Sequence, residues 1–132
     1  HRLQMWTEQA AAAYNKFAEG YPWKFHGFQK TDGYVAVPHD GLWPRAPYLH
    51  NGSVPSLHDL LEVPERRPHV FYRGYDVYDP QRVGFVSDGP EATQGGSPYD
   101  TRLPGNGNGG HVFGPALSPE DKKALIEYLK TL

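Results

Sequence analysis

The chain has 132 residues, a formal net charge of −2 with neutral histidines, 38% hydrophobic and 14% aromatic residues, 15 Gly, 13 Pro and no Cys. Without cysteine there is neither a disulfide nor a cysteine-ligated zinc. The lysines and arginines are too scattered for the basic stripe of a nucleic-acid surface, and no apolar run reaches bilayer length.

One domain or part of one is expected over residues 1–132. Its abundant Gly and Pro predict long loops, and its nine Tyr, six Phe and three Trp predict order, because rings that bury against loops offset the entropy of fixing them. The chain starts at His1 with neither Met nor leader, which reads as a fragment or a processed product. In the first helix Trp6, Ala10, Ala13, Tyr14 and Phe17 share one face, with Thr7 as cap and Gly20 as stop. Loops follow, punctuated by Pro22, Gly27, Gly33, Pro38, Gly41, Pro44 and Pro47, with Tyr34–Val37 a short strand candidate at most. A short helix runs from about Ser56 to Glu62, capped by Ser56 with Asp59 three residues on and stopped by Pro64. From Pro64 to Pro115 there is no sustained periodicity. Phe71 to Pro80 reads as an extended strip packed on one side, and Asp88 to Gly96 as an exposed flexible excursion. The last helix has Ser118 as N-cap, Pro119 at its first position and Asp121 completing a capping-box-like pattern, with Ala124, Leu125, Tyr128, Leu129 and Leu132 as its buried face. The expected fold is therefore mainly α with extensive irregular loops, few short helices and little or no sheet.

Two histidine-bearing loops carry the chemistry. In Arg45-Ala-Pro-Tyr-Leu-His50-Asn-Gly-Ser-Val-Pro-Ser-Leu57 the imidazole stands at a corner between a rigid apolar run and an Asn-Gly turn. In Gly105-Asn-Gly-Asn-Gly-Gly-His111-Val-Phe-Gly114 a tract tolerant of unusual backbone lets main chain pass close to a flat ligand, and ends in one imidazole followed by Val112 and Phe113. A loop histidine bonded to a nearby carbonyl is the competing reading for His111, and a histidine tying the turn to the last helix is the competing reading for His50. No zinc-protease pair of histidines, nucleophile elbow or phosphate-cradling glycine loop is present. Asn51-Gly52-Ser53 has the form of a glycosylation acceptor but reads as turn chemistry.

Both loops resemble segments from the carboxy-terminal part of bacterial multi-haem c-type cytochromes. The group is that of the di-haem cytochrome c peroxidases, and especially their larger relatives, which include rubber oxygenases. The resemblance also takes in Lys24-Phe25, Gly41-Leu42-Trp43, Arg66 to Pro80, Val83 to Ser87 and Tyr128 to Leu132. It implies a cytochrome c-like fragment that packs on haem c, with His111 an axial iron ligand on the face opposite the attachment-site histidine. It further implies His50 near a haem edge, Arg45 on a propionate or in a surface salt bridge, and Trp43, Tyr48 and Phe113 on the pocket walls beside Trp23, Phe25 and Phe28. The group's defining Cys-x-x-Cys-His is missing, so the haem would be carried by an upstream segment of the same parent. A Met ligand typical of the group about one helix after the corner is missing too, since the single methionine is Met5. The resemblance places the parent in the periplasm or outside the cell, with a redox partner protein, and leaves peroxide reduction, oxygen-dependent cleavage and plain electron transfer open for it. From the residues alone, a haem-free interaction module with exposed Tyr and Trp as stacking platforms is the alternative.

Overall fold

The computed structural model describes residues 2–25 and 38–132, with backbone alone for residues 2–7. Phe28 and the strand candidate Tyr34–Val37 lie outside the described residues, as do the side chains of Trp6 and Thr7. The chain divides into two compact units, His1–Val37 and Pro38–Leu132.

The first unit is built on α1, Arg2–Phe17. Its centre is Ala10–Ala13, the strongest helix former in succession. The helix begins well before Thr7, so Thr7 sits inside it rather than capping it, and Gly20 follows its end at φ +96°. Of the face these residues share, Ala10, Ala13 and Phe17 are exposed, while Ala18 beyond it is fully enclosed. The chain after the helix folds back instead. Tyr14 lies 5.7 Å from Trp23 and 5.0 Å from Phe25, ring centre to ring centre. The Asn15 side chain donates to the Phe25 carbonyl at 2.7 Å and accepts from its N–H at 2.8 Å.

The core of the second unit is Tyr48, Val54, Leu57, Leu61, Val83 and Ile126. Helix α2, Leu57–Leu60, supplies Leu57 and, one turn on, Leu61. As its sequence predicts, the Ser56 hydroxyl caps it by accepting from the Asp59 N–H at 3.1 Å. Helix α4, Pro119–Leu129, is capped in the same way, by Ser118 from the Asp121 N–H at 3.1 Å. It is rotated from the expected orientation. Ile126 is buried with Leu125 and Leu129 packed beside it, whereas Ala124 and Tyr128 face outwards.

The expectation of a mainly α fold with little or no sheet is overturned: among the described residues four strands pair into two small antiparallel sheets beside the helices. β1, Val70–Arg73, pairs antiparallel with β4, Ser97–Asp100, and β2, Tyr78–Asp79, with β3, Gly84–Phe85. Strands of two to four residues are too short to show alternation, and β4 contains Pro98, which cannot donate to a ladder and hides the strand from pattern reading. Phe71 and Tyr99, partners in register, are both buried with ring centres 5.3 Å apart. The segment read as a flexible excursion contains a helix, α3, Gly89–Gly95, which buries Ala92 completely and returns the chain into β4. One close approach fixes the strand–helix junction. A Cβ at Gly84 would stand 2.4 Å from the Pro55 carbonyl oxygen and 2.9 Å from the Ser56 Cα, so only glycine lets β3 meet the start of α2.

Candidate functional site

Tyr48 and Val54 exchange backbone hydrogen bonds at 2.7 and 3.3 Å, closing the Leu49–Ser53 corner that carries His50. Leu49 (φ 67°) and Gly52 (φ 65°) turn it tightly. The Tyr48 ring lies in the core, and its hydroxyl is shared among the carbonyls of Trp43 at 3.1 Å and of Leu42 and Val83 at 3.3 Å. Burial first, and Tyr78 second, push this phenol well above its ordinary pKa, so it stays a neutral donor.

The corner grips the Gly/Asn tract. Asn51 Nδ2 donates to the carbonyls of Gly105 at 3.1 Å and Gly107 at 3.0 Å, and the Ser53 hydroxyl donates to Gly107 at 3.0 Å. Tyr99 braces the corner from β4 by donating to the Asn51 carbonyl at 3.1 Å.

The far half of the tract is held by Arg67, which is 2% exposed. All five of its N–H donors end on main-chain carbonyls. Nε reaches Glu62 at 3.0 Å, and Nη2 reaches Leu60 at 3.1 Å and His111 at 2.9 Å. Nη1 reaches Gly110 at 2.7 Å and also Asn108. Among the described residues no carboxylate lies within ion-pair distance of it. Burial lowers the Arg67 pKa, partly offset by Asp59 and Glu65, yet a guanidinium remains charged. In the sequence Arg67 stands beside Arg66, and the pair itself does not mark either as buried. Its place between Pro64 and Pro68, in a turn that cannot continue α2, is the signal available for its inward direction.

His111 therefore ends a tract fixed at both halves. It takes φ 57°, a left-handed conformation uncommon outside glycine and shared here with Leu49 and Val83. The residue as a whole is exposed, and its ring meets Phe113 edge-on at 5.1 Å. Partial burial, and after it the Arg67 charge, lower its pKa, which favours the neutral imidazole a metal requires. Val112 and Phe113 stand 57% and 82% exposed beside it.

The glycines before it have different reasons to be there. Gly105 takes φ +87°, but at Gly107 and Gly109 the backbone is not left-handed and a Cβ would meet nothing within 4 Å. The fold itself does not require glycine at those two positions.

The structure thus brings the His50 corner and the His111 tract together. His50 is exposed on that corner. Trp43 and Arg45 engage other neighbours: the Trp43 ring stands edge-on to Tyr78 at 5.7 Å, and Arg45 donates to the Asp40 carbonyl at 2.7 Å. Among the described residues no three His, Asp, Glu or Cys side chains gather into a metal site, and no helix is long and apolar enough to cross a membrane.

Residues 33–72 match the family model described as RoxA-like, cytochrome c-like. That segment is cytochrome c-like in sequence. It contains Asn51, Ser53 and Arg67, which hold the tract, and ends before the tract begins. Two proteins of Sinorhizobium fredii are also similar to the chain. Uncharacterized protein y4iJ is 45% identical over 116 residues, covering 81% of this chain and 19% of its own length. Uncharacterized protein y4iM is 44% identical over 122 residues, covering 76% of this chain and 28% of its own. The chain spans about a fifth to just over a quarter of these relatives.

Proposed function

We propose that the chain is the haem-packing part of a larger c-type cytochrome, with His111 offered to the haem iron. It would serve electron transfer or redox catalysis by the parent protein. The observation that carries this reading is the physical coupling of the cytochrome c-like segment to the His111 tract through Asn51, Ser53 and Arg67.

The residues present fit such a group. A porphyrin supplies four nitrogens to its iron, so a single neutral imidazole suffices from the chain, and the lowered pKa of His111 favours that form. Exposed Val112 and Phe113 offer apolar contact beside it. Gly107 and Gly109 leave the tract bare of side chains at those two positions, as close approach to a flat macrocycle demands. Bound there, haem would supply one-electron chemistry. The chain's own part is to hold one imidazole, shield one face from water and offer Arg45 to a propionate, with His50 at the neighbouring edge. Thioether attachment needs cysteine, so the haem would be carried outside these residues, as expected of a periplasmic or secreted parent with a redox partner.

Titration of the full chain with haemin, followed by absorbance, tests the reading. A Soret band shifted to that of imidazole-ligated haem is expected for the wild type and its loss for His111→Ala. Identical spectra for the two proteins would remove His111 from the iron.

A further inference from the structure

A cleft of about 700 Å³ lies between α2 and α4, on a part of the second unit that the haem reading does not use. Its floor is apolar, formed by Leu61 and Ile126, which are 5% and 6% exposed. Its rim is cationic. Arg66, Lys122, Lys123 and Lys130 line it against two carboxylates, Glu62 and Glu127. The excess of two positive charges stands in a chain whose formal net charge is −2.

Both carboxylates are already engaged. Glu62 accepts Lys122 at 2.6 Å and has Arg66 at 3.7 Å, and Glu127 accepts Lys130 at 2.6 Å. Lys122 and Glu62, each about four-fifths covered, strap the two helices together. Lys123 is exposed and takes part in none of these ion pairs, and the Arg66 side chain is 78% exposed beside an already occupied Glu62. The cleft thus joins a cationic edge with charge to spare to a floor of buried aliphatic carbon, within the volume range of small-molecule sites.

We propose that this cleft binds an amphiphilic organic carboxylate, its head on Lys123 and Arg66 and its aliphatic body on Leu61 and Ile126. An apolar alcohol lacks the head, and a short carboxylate lacks the body. Decanoate therefore satisfies both halves where decanol and acetate each satisfy one.

Calorimetric titration of the full chain without haem, using decanoate as the probe, tests this directly. Saturable binding is expected, weakened by added salt, with acetate and decanol at least about tenfold weaker. The exposed substitutions Lys123→Glu and Arg66→Glu should each lower decanoate affinity about tenfold or more while leaving the circular dichroism unchanged, as loss of a charge-assisted bond implies. Methyl chemical shifts of Leu61 and Ile126 should move on titration. Equal binding of decanol, indifference to both charge reversals or unmoved methyl signals would each overturn the proposal. Tighter binding of a polyglutamate peptide than of decanoate would replace it with a protein-docking surface. No outcome depends on His111 or on haem.

Discussion

Arg67→Met is the most telling substitution. Methionine matches much of the aliphatic stem but removes all five donors, stranding the carbonyls of Leu60, Glu62, Asn108, Gly110 and His111. Two effects oppose each other. Removing a buried guanidinium relieves its desolvation, and replacing a buried ion pair with apolar groups is often neutral. Here, however, the partners are backbone carbonyls, which the substitution cannot remove. The Gly110 and His111 carbonyls lie on exposed residues and can turn to water. Leu60, Glu62 and Asn108 lie deeper, and each stranded acceptor costs about 1–3 kcal/mol. With the desolvation relief set against them, the net loss is about 3–5 kcal/mol, a large share of the roughly 5–15 kcal/mol of a typical domain. Urea unfolding followed by circular dichroism reads the stability, and amide hydrogen exchange reads order in the tract. Lysine, with three donors, should recover about half of the loss. A loss below about 1 kcal/mol for Arg67→Met, with tract amides still protected, would refute the clamp.

Gly84→Ala should destabilise by about 3 kcal/mol or more, because its Cβ meets backbone at 2.4 and 2.9 Å rather than a yielding side chain; a chemical denaturation curve within about 1 kcal/mol of wild type contradicts this. Gly109→Ala has open space around its Cβ and a backbone that alanine adopts, so unfolding should change by less than about 0.5 kcal/mol. The same substitution should weaken haemin binding if the tract lies against a macrocycle, and unchanged binding speaks against that contact. His111 has a folded pKa below its ordinary 6.5, so its contribution to stability is present above that pH and declines as pH falls through the lower folded value. Proton NMR titration of the His111 imidazole in the wild type should show the lowered value, and unfolding curves at several pH values should show this acid-side loss in the wild type and not in His111→Gln.

The parts of the fold that were legible in the sequence were those with local causes. Ser56 and Ser118 announce helix starts because a hydroxyl three residues before an acidic residue meets an orphan N–H wherever the chain goes. The two histidine loops were legible for a similar reason, since Asn-Gly and the Gly/Asn tract mark backbone that must bend. What failed depended on distant partners. The direction of Arg67 is set by carbonyls more than forty residues away, and nothing in Arg66-Arg67 says which of the two turns inward. The orientation of α4 is set by Lys122 reaching Glu62 and by Ile126 entering the core, although its apolar residues alone favour another face. β4 stayed hidden because its order comes from Tyr99 packing on Phe71, not from its own pattern.

The guanidinium that joins residues 60–62 to residues 108–111 has a kinetic corollary. Closing so wide a span is entropically costly until the intervening strands are in place, and a glycine-rich stretch has no propensity of its own to wait in the right shape. Assembly of the His111 loop is therefore expected late in refolding, after β1–β4 pairing, with its amides the last of the second unit to gain protection in pulse-labelled hydrogen exchange. An ordered His111 loop becomes, in effect, a certificate that the whole second unit has finished folding.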